Sequence, residues 1–150
     1  MGNGFIEEIE LKELSKVRRE RYNRTKFMEC PFLHEMVYFN KIGFFHTTHD
    51  GRGKIRGEAS ARMRLHLLPW IYRVIKKSRH YGEPPRVVSK ADPANSTGEE
   101  VVFYEICYRF NGFDGEKVVS VILRRVGKGN LHYYSVRYTK KQNRPDKGSA

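Results

Sequence analysis

The sequence predicts an α+β protein whose N-terminal helices pack on a roughly four-stranded, antiparallel, twisted β-sheet. Three observations lead there. Residues 5–22 and 58–77 carry apolar residues at helical spacing. Residues 101–110, 117–126 and 131–138 alternate apolar and polar side chains and are separated by the Gly-containing turns NGFDG and GKGN. The helical segments come first and the strand run last, so the sheet neighbours are joined by hairpins.

Taken in order, the first helix has Asn3 placed to cap it, with Glu7, Glu8 and Glu10 early and Arg18, Arg19 and Arg21 late, the polarity that suits a helix dipole. Its apolar stripe of Ile6, Ile9, Leu14 and Val17 is thin, which predicts a peripheral arm over residues 1–24. MVYFN (36–40) reads as a short strand, and GFFHTTHDGRGKIRG mixes aromatics, two histidines and a basic, Gly-rich loop. In 58–77, Leu65, Leu68, Ile71, Val74 and Ile75 form the core stripe, and Pro69 either kinks that helix or starts a second one. Gly82, Pro84 and Pro85 end it, and 86–89 begins the strands of a domain spanning 25–139. KKQNRPDKGSA is polar and basic, which predicts a disordered tail over 140–150.

Charge narrows the function. Lys and Arg total 29 against 17 acidic residues, a net charge of +12 in 150 residues. Such an excess concentrates polyanions, and Lys and Arg contacts to phosphates drive nucleic-acid binding. Cys30 and Cys107 are too few for a disulfide scaffold and lack zinc spacing, so free thiols are expected. There is no apolar signal-peptide core and no run of about 18 apolar residues, which predicts a cytoplasmic chain without a membrane partner. GxSxG, Rossmann, HExxH, zinc-finger, RRM and KH signatures are absent, and His46 and His49 have no further ligands nearby in sequence to make a metal set.

The chemistry-bearing stretch is RRVGKGNLHYYSVRY (124–138). A hairpin needs only its glycines and alternation, yet both strand ends are crowded with Arg, His, Tyr and Ser. Strict alternation puts Val119, Val121, Leu123 and Arg125 on one face of the penultimate strand and Ser120, Ile122 and Arg124 on the other. On the last strand it groups His132, Tyr134 and Val136 against Tyr133, Ser135 and Arg137. These side-chain types suit RNA cleavage, in which the ribose 2′-hydroxyl is the nucleophile. The protein must then supply a base, an acid and a fixed cation for the phosphate, without metal or cofactor. The glycines and cations of GRGK suit a phosphate contact.

VYFNKIGFFH (37–46), a basic loop, RMRLHLLPWIYRVIKKS (62–78) and VSVILRRVGKGNLHYYSV (119–136) together resemble small bacterial and phage-associated proteins of the barnase–EndoU–colicin–RelE group of metal-independent ribonucleases. The pattern is a GF-x-H element before the helices. A strand ending in Arg then leads through G-x-G to His, two aromatics and Ser. It falls on Gly43, Phe44, His46, Arg124, Gly127, Gly129, His132, Tyr133, Tyr134 and Ser135 and spans residues 37–138. The resemblance implies a four-stranded sheet with RNA on its exposed face. It also implies a toxin neutralised by an acidic antitoxin or immunity protein, acting in its own or a target cell's cytoplasm. The long 89–99 loop departs from the pattern and points to a particular substrate such as tRNA, rRNA or ribosome-bound mRNA.

On this reading the chain is a toxin-type endoribonuclease that leaves a 2′,3′-cyclic phosphate. His46 and His132 share the base and acid roles, and Arg124 clamps the scissile phosphate. Tyr134 and Ser135 orient it, which strand alternation allows from one face only with a bulge between them. Arg52, Lys54, Arg56, Arg62, Arg64, Arg125, Lys128 and Arg137 hold the RNA backbone. The alternatives are a non-catalytic RNA-binding module, or a protein-interaction domain whose charge serves an acidic partner.

Overall fold

The structure is a computed structural model and describes residues 3–50, 53–112 and 115–140. Arg52 and the expected tail from residue 141 onward therefore lie outside the described residues. The element order is α1 (Asn3–Arg24), β1 (Phe27–Cys30), β2 (Glu35–Tyr38), α2 (Lys41–Thr48), α3 (Glu58–Lys77), β3 (His80–Val88), β4 (Val101–Gly112), β5 (Gly115–Val126) and β6 (Leu131–Lys140). The class is α+β, as expected, but the sheet is larger. Its six strands run in the order β1-β2-β6-β5-β4-β3, and β2 lies parallel to β6 while the other neighbours are antiparallel. The expected four-stranded meander is the β3–β6 half. The N-terminal hairpin β1–β2 extends it, because Val37 pairs with Leu131 and both side chains are buried.

Two further differences have local causes, and the structure decides between the two readings of Pro69. Residues 41–48 form a helix that the sequence reading did not assign; the Asn40 side chain caps it by accepting a hydrogen bond from the Gly43 N–H at 3.2 Å. Gly82, Pro84 and Pro85 lie inside β3, an edge strand with two register shifts, where a missing N–H on the open side is tolerated. Pro69 interrupts α3 without ending it. A proline leaves the carbonyl four residues earlier without its helical donor, and here the Arg18 Nε donates to that Leu65 carbonyl at 2.9 Å. The same bond ties α1 to α3. Tyr22 of α1 is buried, and its hydroxyl donates to the Asn40 carbonyl at 2.6 Å.

One core joins these layers. Leu65, Leu68, Ile71, Val74 and Ile75 of α3 lie over Ile106, Val119, Val121, Leu123, Tyr133 and Val136 of the sheet. Cys30 and Cys107 are free and buried. The opposite face of β3–β6, on which Phe103, Ile122, Arg124 and Arg137 lie, carries the candidate site. No helix among the described residues is long and apolar enough to cross a membrane.

Gly43 shows how tightly α2 is set against β6. A Cβ there would lie 2.5 Å from both the Tyr133 carbonyl oxygen and the Tyr22 hydroxyl oxygen. Gly43→Ala is therefore expected to destabilise the fold by about 1–3 kcal/mol, the usual cost of overpacking. Urea denaturation checks this, and an unchanged midpoint would show that α2 is free to move off the sheet.

Candidate functional site

The site is built on a break in β-pairing. β6 pairs with β2 only at Val37↔Leu131 and Tyr38↔His132. On its other side, β6 runs in register with β5 until the pairing steps from Ile122↔Ser135 to Leu123↔Tyr133. Tyr134 is the extra residue, so a β-bulge sits there. The strict alternation expected for the last strand is thereby corrected. Val136 joins Tyr133 in the core, and Arg137 joins His132 on the outer face, opposite Ser120. The bulge also lets Tyr134 and Ser135 leave the strand on the same side.

Beyond the point where β2 stops, α2 and one arginine of α3 occupy the flank of β6. Arg64 Nη1 donates to the Val136 carbonyl at 2.5 Å and to Ser135 Oγ at 3.2 Å. Ser135 is thus held by a helix arginine. The end of α2 brings the His46 ring to 4.2 Å from the Tyr134 ring, centre to centre. The Arg124 guanidinium lies 4.8 Å over the Tyr134 ring, and Phe103 meets that ring edge-on at 5.3 Å. Arg86 lies 4.6 Å over Phe103. Register explains the gathering, since Phe103 pairs with Arg124 and Arg124 pairs with His132 across three strands. A band of alternating rings and guanidinium groups crosses the outer face from α2 to β3.

After α2 the chain doubles back. The Asp50 carboxylate accepts from the Lys54 N–H at 3.0 Å, His49 bridges Ile55, and the Arg56 Nε donates to the His46 carbonyl at 3.0 Å. Arg56 and Arg64 therefore both stand beside His46. Burial depresses the His46 pKa, and Arg56, Arg124 and Arg64 push it further the same way, with Asp50 opposing them. His49 belongs elsewhere: its ring stacks on Phe45 at 4.0 Å. Among the described residues no three His, Cys, Asp or Glu side chains gather as a metal set.

The two histidines expected to act as a pair are not equivalent. His46 is half-buried, whereas His132 is 8% exposed and its Nε2 is buried without a hydrogen-bond partner among the described residues. Burial, then the Arg124 charge, push the His132 pKa down to about 4, with a backbone contact to Asn130 opposing. Both imidazoles are neutral at pH 7.

The remaining basic residues scatter. Arg125 pairs with Glu35 of β2 on the other side of the sheet, Arg62 pairs with Glu58 one helical turn away, and Lys54 and Lys128 are exposed in turns. Arg137 pairs with Glu105 on the outer face. Sequence reasoning did not single out Phe103 or Arg86. The alternation of VVFYEICYRF put Phe103 on one face or the other, but only the register with β5 shows that it lies beside Arg124.

No protein-family model matches this chain, nor does any curated protein or solved structure. The site must be read from its own geometry.

His132 links the site to stability. The unfolded chain takes up the imidazole proton near pH 6.5 and the folded protein only near 4. The unfolded state therefore binds more protons in between, and stability falls as pH drops through that window. The loss assigned to His132 should be on the order of 3 kcal/mol between pH 7 and pH 4, with His46 adding in the same direction. Proton NMR of the His132 ring checks this directly. A midpoint near 4 is expected, and one near 6.5 would mean that the ring is open to solvent.

Proposed function

We propose that the chain is an endoribonuclease of toxin type that cleaves RNA by attack of the ribose 2′-hydroxyl, leaving a 2′,3′-cyclic phosphate and a 5′-hydroxyl. The observation that carries this reading is the convergence of a neutral, half-buried imidazole, His46, with Arg56, Arg64 and Arg124 around the Tyr134 bulge. The reaction needs a base that is unprotonated at neutral pH and fixed positive charge where the pentavalent phosphate forms. Burial first, and then the field of the arginines, keeps His46 neutral, and the same arginines attract the phosphate.

In this mechanism His46 takes the 2′-hydroxyl proton as the oxygen bonds to phosphorus. Arg124 hydrogen-bonds the non-bridging oxygens, for which its planar guanidinium is suited. An anionic phosphate among the arginines offsets their effect on His46, so the imidazole gains basicity as substrate enters. Tyr134, whose ring lies against the same imidazole, donates its hydroxyl proton to the leaving 5′-oxygen and recovers one from the imidazolium. Ser135 and Arg64 fix the bulge, and His132 stands beside Arg124 as its partner in register across β5 and β6. Lys54, Lys128 and, with net charge +12 behind them, the neighbouring cations hold the RNA backbone. An acidic antidote protein would bind the same basic face, and the place of action would be a cytoplasm.

A second reading rests on the ring-and-guanidinium band itself. Alternating Arg86, Phe103, Tyr134 and His46 make a stacking platform for single-stranded RNA without any cleavage.

Total RNA and a tRNA pool incubated in EDTA, with product ends mapped, separate the two. The wild type should leave cyclic phosphates. His46→Ala should lose about 10²-fold or more in rate, and Arg124→Ala should lose a similar factor, both with folding intact by circular dichroism. The acid limb of kcat/KM should fall with protonation of His46, below pH 6.5, and be absent in His46→Ala. Intact RNA with salt-dependent binding would transfer the site to the second reading.

A further inference from the structure

The inner face of the sheet runs on past its buried core. Beyond Ile106, β4 continues on the same face with Tyr108 and Phe110, and both are only half-buried. Val119 pairs with Tyr108 on one side and with Tyr138 on the other, and Phe110 pairs with Lys117. Trp70 of α3 lies on Phe110, with ring centres 4.5 Å apart and an interplanar angle of 16°. Tyr108 continues the near-parallel arrangement, at 19° to Phe110. The rings of the core meet instead at 41° to 77°. Parallel, half-open rings present a flat face that another flat ring can extend.

Cations border this stack. The Arg73 guanidinium lies 5.0 Å over the Trp70 indole, and Lys117 Nζ lies 5.6 Å over the Tyr138 ring. Arg73 begins a strip with Lys76 and Lys77, placed on one side of α3 by their spacing, and all three are exposed. None of the three has an acidic partner among the described residues. Open rings beside unneutralised charge fit a polymer that offers flat bases and phosphates together. An acidic peptide would match the strip but not the parallel rings. The stack is also separate from the candidate site. Lys117 and Arg124 lie on opposite faces of β5, and their separation along the strand, at about 3.3 Å per residue, is roughly 23 Å.

We propose that Trp70, Phe110 and Tyr108 form a second RNA-binding surface, on which one unpaired base of a single strand stacks while Arg73, Lys76 and Lys77 hold its phosphates. In the free protein Arg73 covers the indole. An exposed contact of that kind is weak, so the base takes its place and the guanidinium turns to the adjoining phosphate. A duplex, whose bases are already stacked on one another, has none to give. That the strand is RNA, and is the substrate itself, rests on the ribonuclease reading. The platform then acts as a tether, raising the effective concentration at the candidate site of any strand long enough to span both places.

Trp70 is the only tryptophan of the chain, so its fluorescence reports on the platform directly. An uncleavable 2′-O-methyl RNA of about 16 nucleotides is titrated into the wild type and Arg73→Glu, with binding followed independently by the anisotropy of an end label. Inorganic polyphosphate, poly-glutamate and a duplex of the same sequence are the comparison probes. The single strand should quench Trp70 in step with its binding, and the other probes should not. Arg73→Glu, a change at an exposed position, should move the quenching midpoint up about tenfold. With cleavable RNA, the ratio of kcat/KM for a strand of about 16 nucleotides to that for one of about 4 should fall about tenfold in the variant. A strand that binds while Trp70 stays silent overturns the platform, as does quenching whose midpoint Arg73→Glu leaves in place. Equal quenching by polyphosphate or the duplex would make the strip a plain anion site, and by poly-glutamate a site for an acidic protein; each overturns it. If the platform fails in any of these ways while RNA is still cleaved, the ribonuclease stands. Quenching as expected, with no RNA cleaved, keeps the platform and overturns the ribonuclease. Absence of both overturns both.

Discussion

The outer face depends on what happens to β6 when it loses its strand neighbour. Backbone N–H and C=O groups buried away from water require partners, and β2 provides them only as far as the Tyr38↔His132 pair. From there Arg64 takes over at Val136, and α2 closes against Tyr133 through the bare backbone of Gly43. The bulge at Tyr134 falls in this changeover. Substituting a helix and an arginine for a strand is what brings His46 and Arg64, distant in sequence, against two residues of the sheet. The site is assembled by the same contacts that complete the edge.

The electrostatics follow from that assembly. Arg56, Arg64 and Arg124 all act on one imidazole in the same direction, and the Nε atoms of Arg64 and Arg124 are buried without hydrogen-bond partners among the described residues. Unpaired buried donors and gathered like charges both oppose folding. They are tolerated here because α3 and the sheet bury a continuous apolar core beneath them. A surface that stores repulsion of this kind has more to gain from an anion than one whose arginines are already neutralised, as Arg125 is by Glu35.

Much of the fold was legible in the sequence, for reasons that residue patterns make plain. The α3 stripe and the alternation of β4, β5 and β6 are strong periodic signals, and their elements fall within a few residues of expectation. The helix at 41–48 was hidden because Gly43, paired phenylalanines and paired threonines carry little helix propensity; its one clear signal was Asn40 as a cap. β1 has only four residues, too few for alternation to register. His46, Arg124, Tyr134 and Ser135 were visible as a polar cluster, and the structure brings all four to one face. The burial of His132, the bulge that reunites Tyr134 with Ser135, and the part played by Phe103 depend on register and pairing. No window of local sequence contains those. The parallel β2–β6 pair was invisible for the same reason, since its partners lie far apart in the sequence.

That pairing has a consequence for the order in which the molecule can be made. His46 lies on α2, which leaves the ribosome after α1 and the β1–β2 hairpin, while Arg124, His132 and Tyr134 belong to β5 and β6. Until β6 exists, β2 has no inner neighbour and α2 has no Tyr133 against which to seat Gly43. The Arg18–Leu65 bond likewise waits for α3, so α1 gains its tie to the body only once the middle of the chain has emerged. Non-local contacts of this kind reward the chain late. A nascent or truncated chain that stops short of β6 therefore holds half of the cluster around Tyr134 and no bulge. The outer face appears in a single step, once β6 has been made.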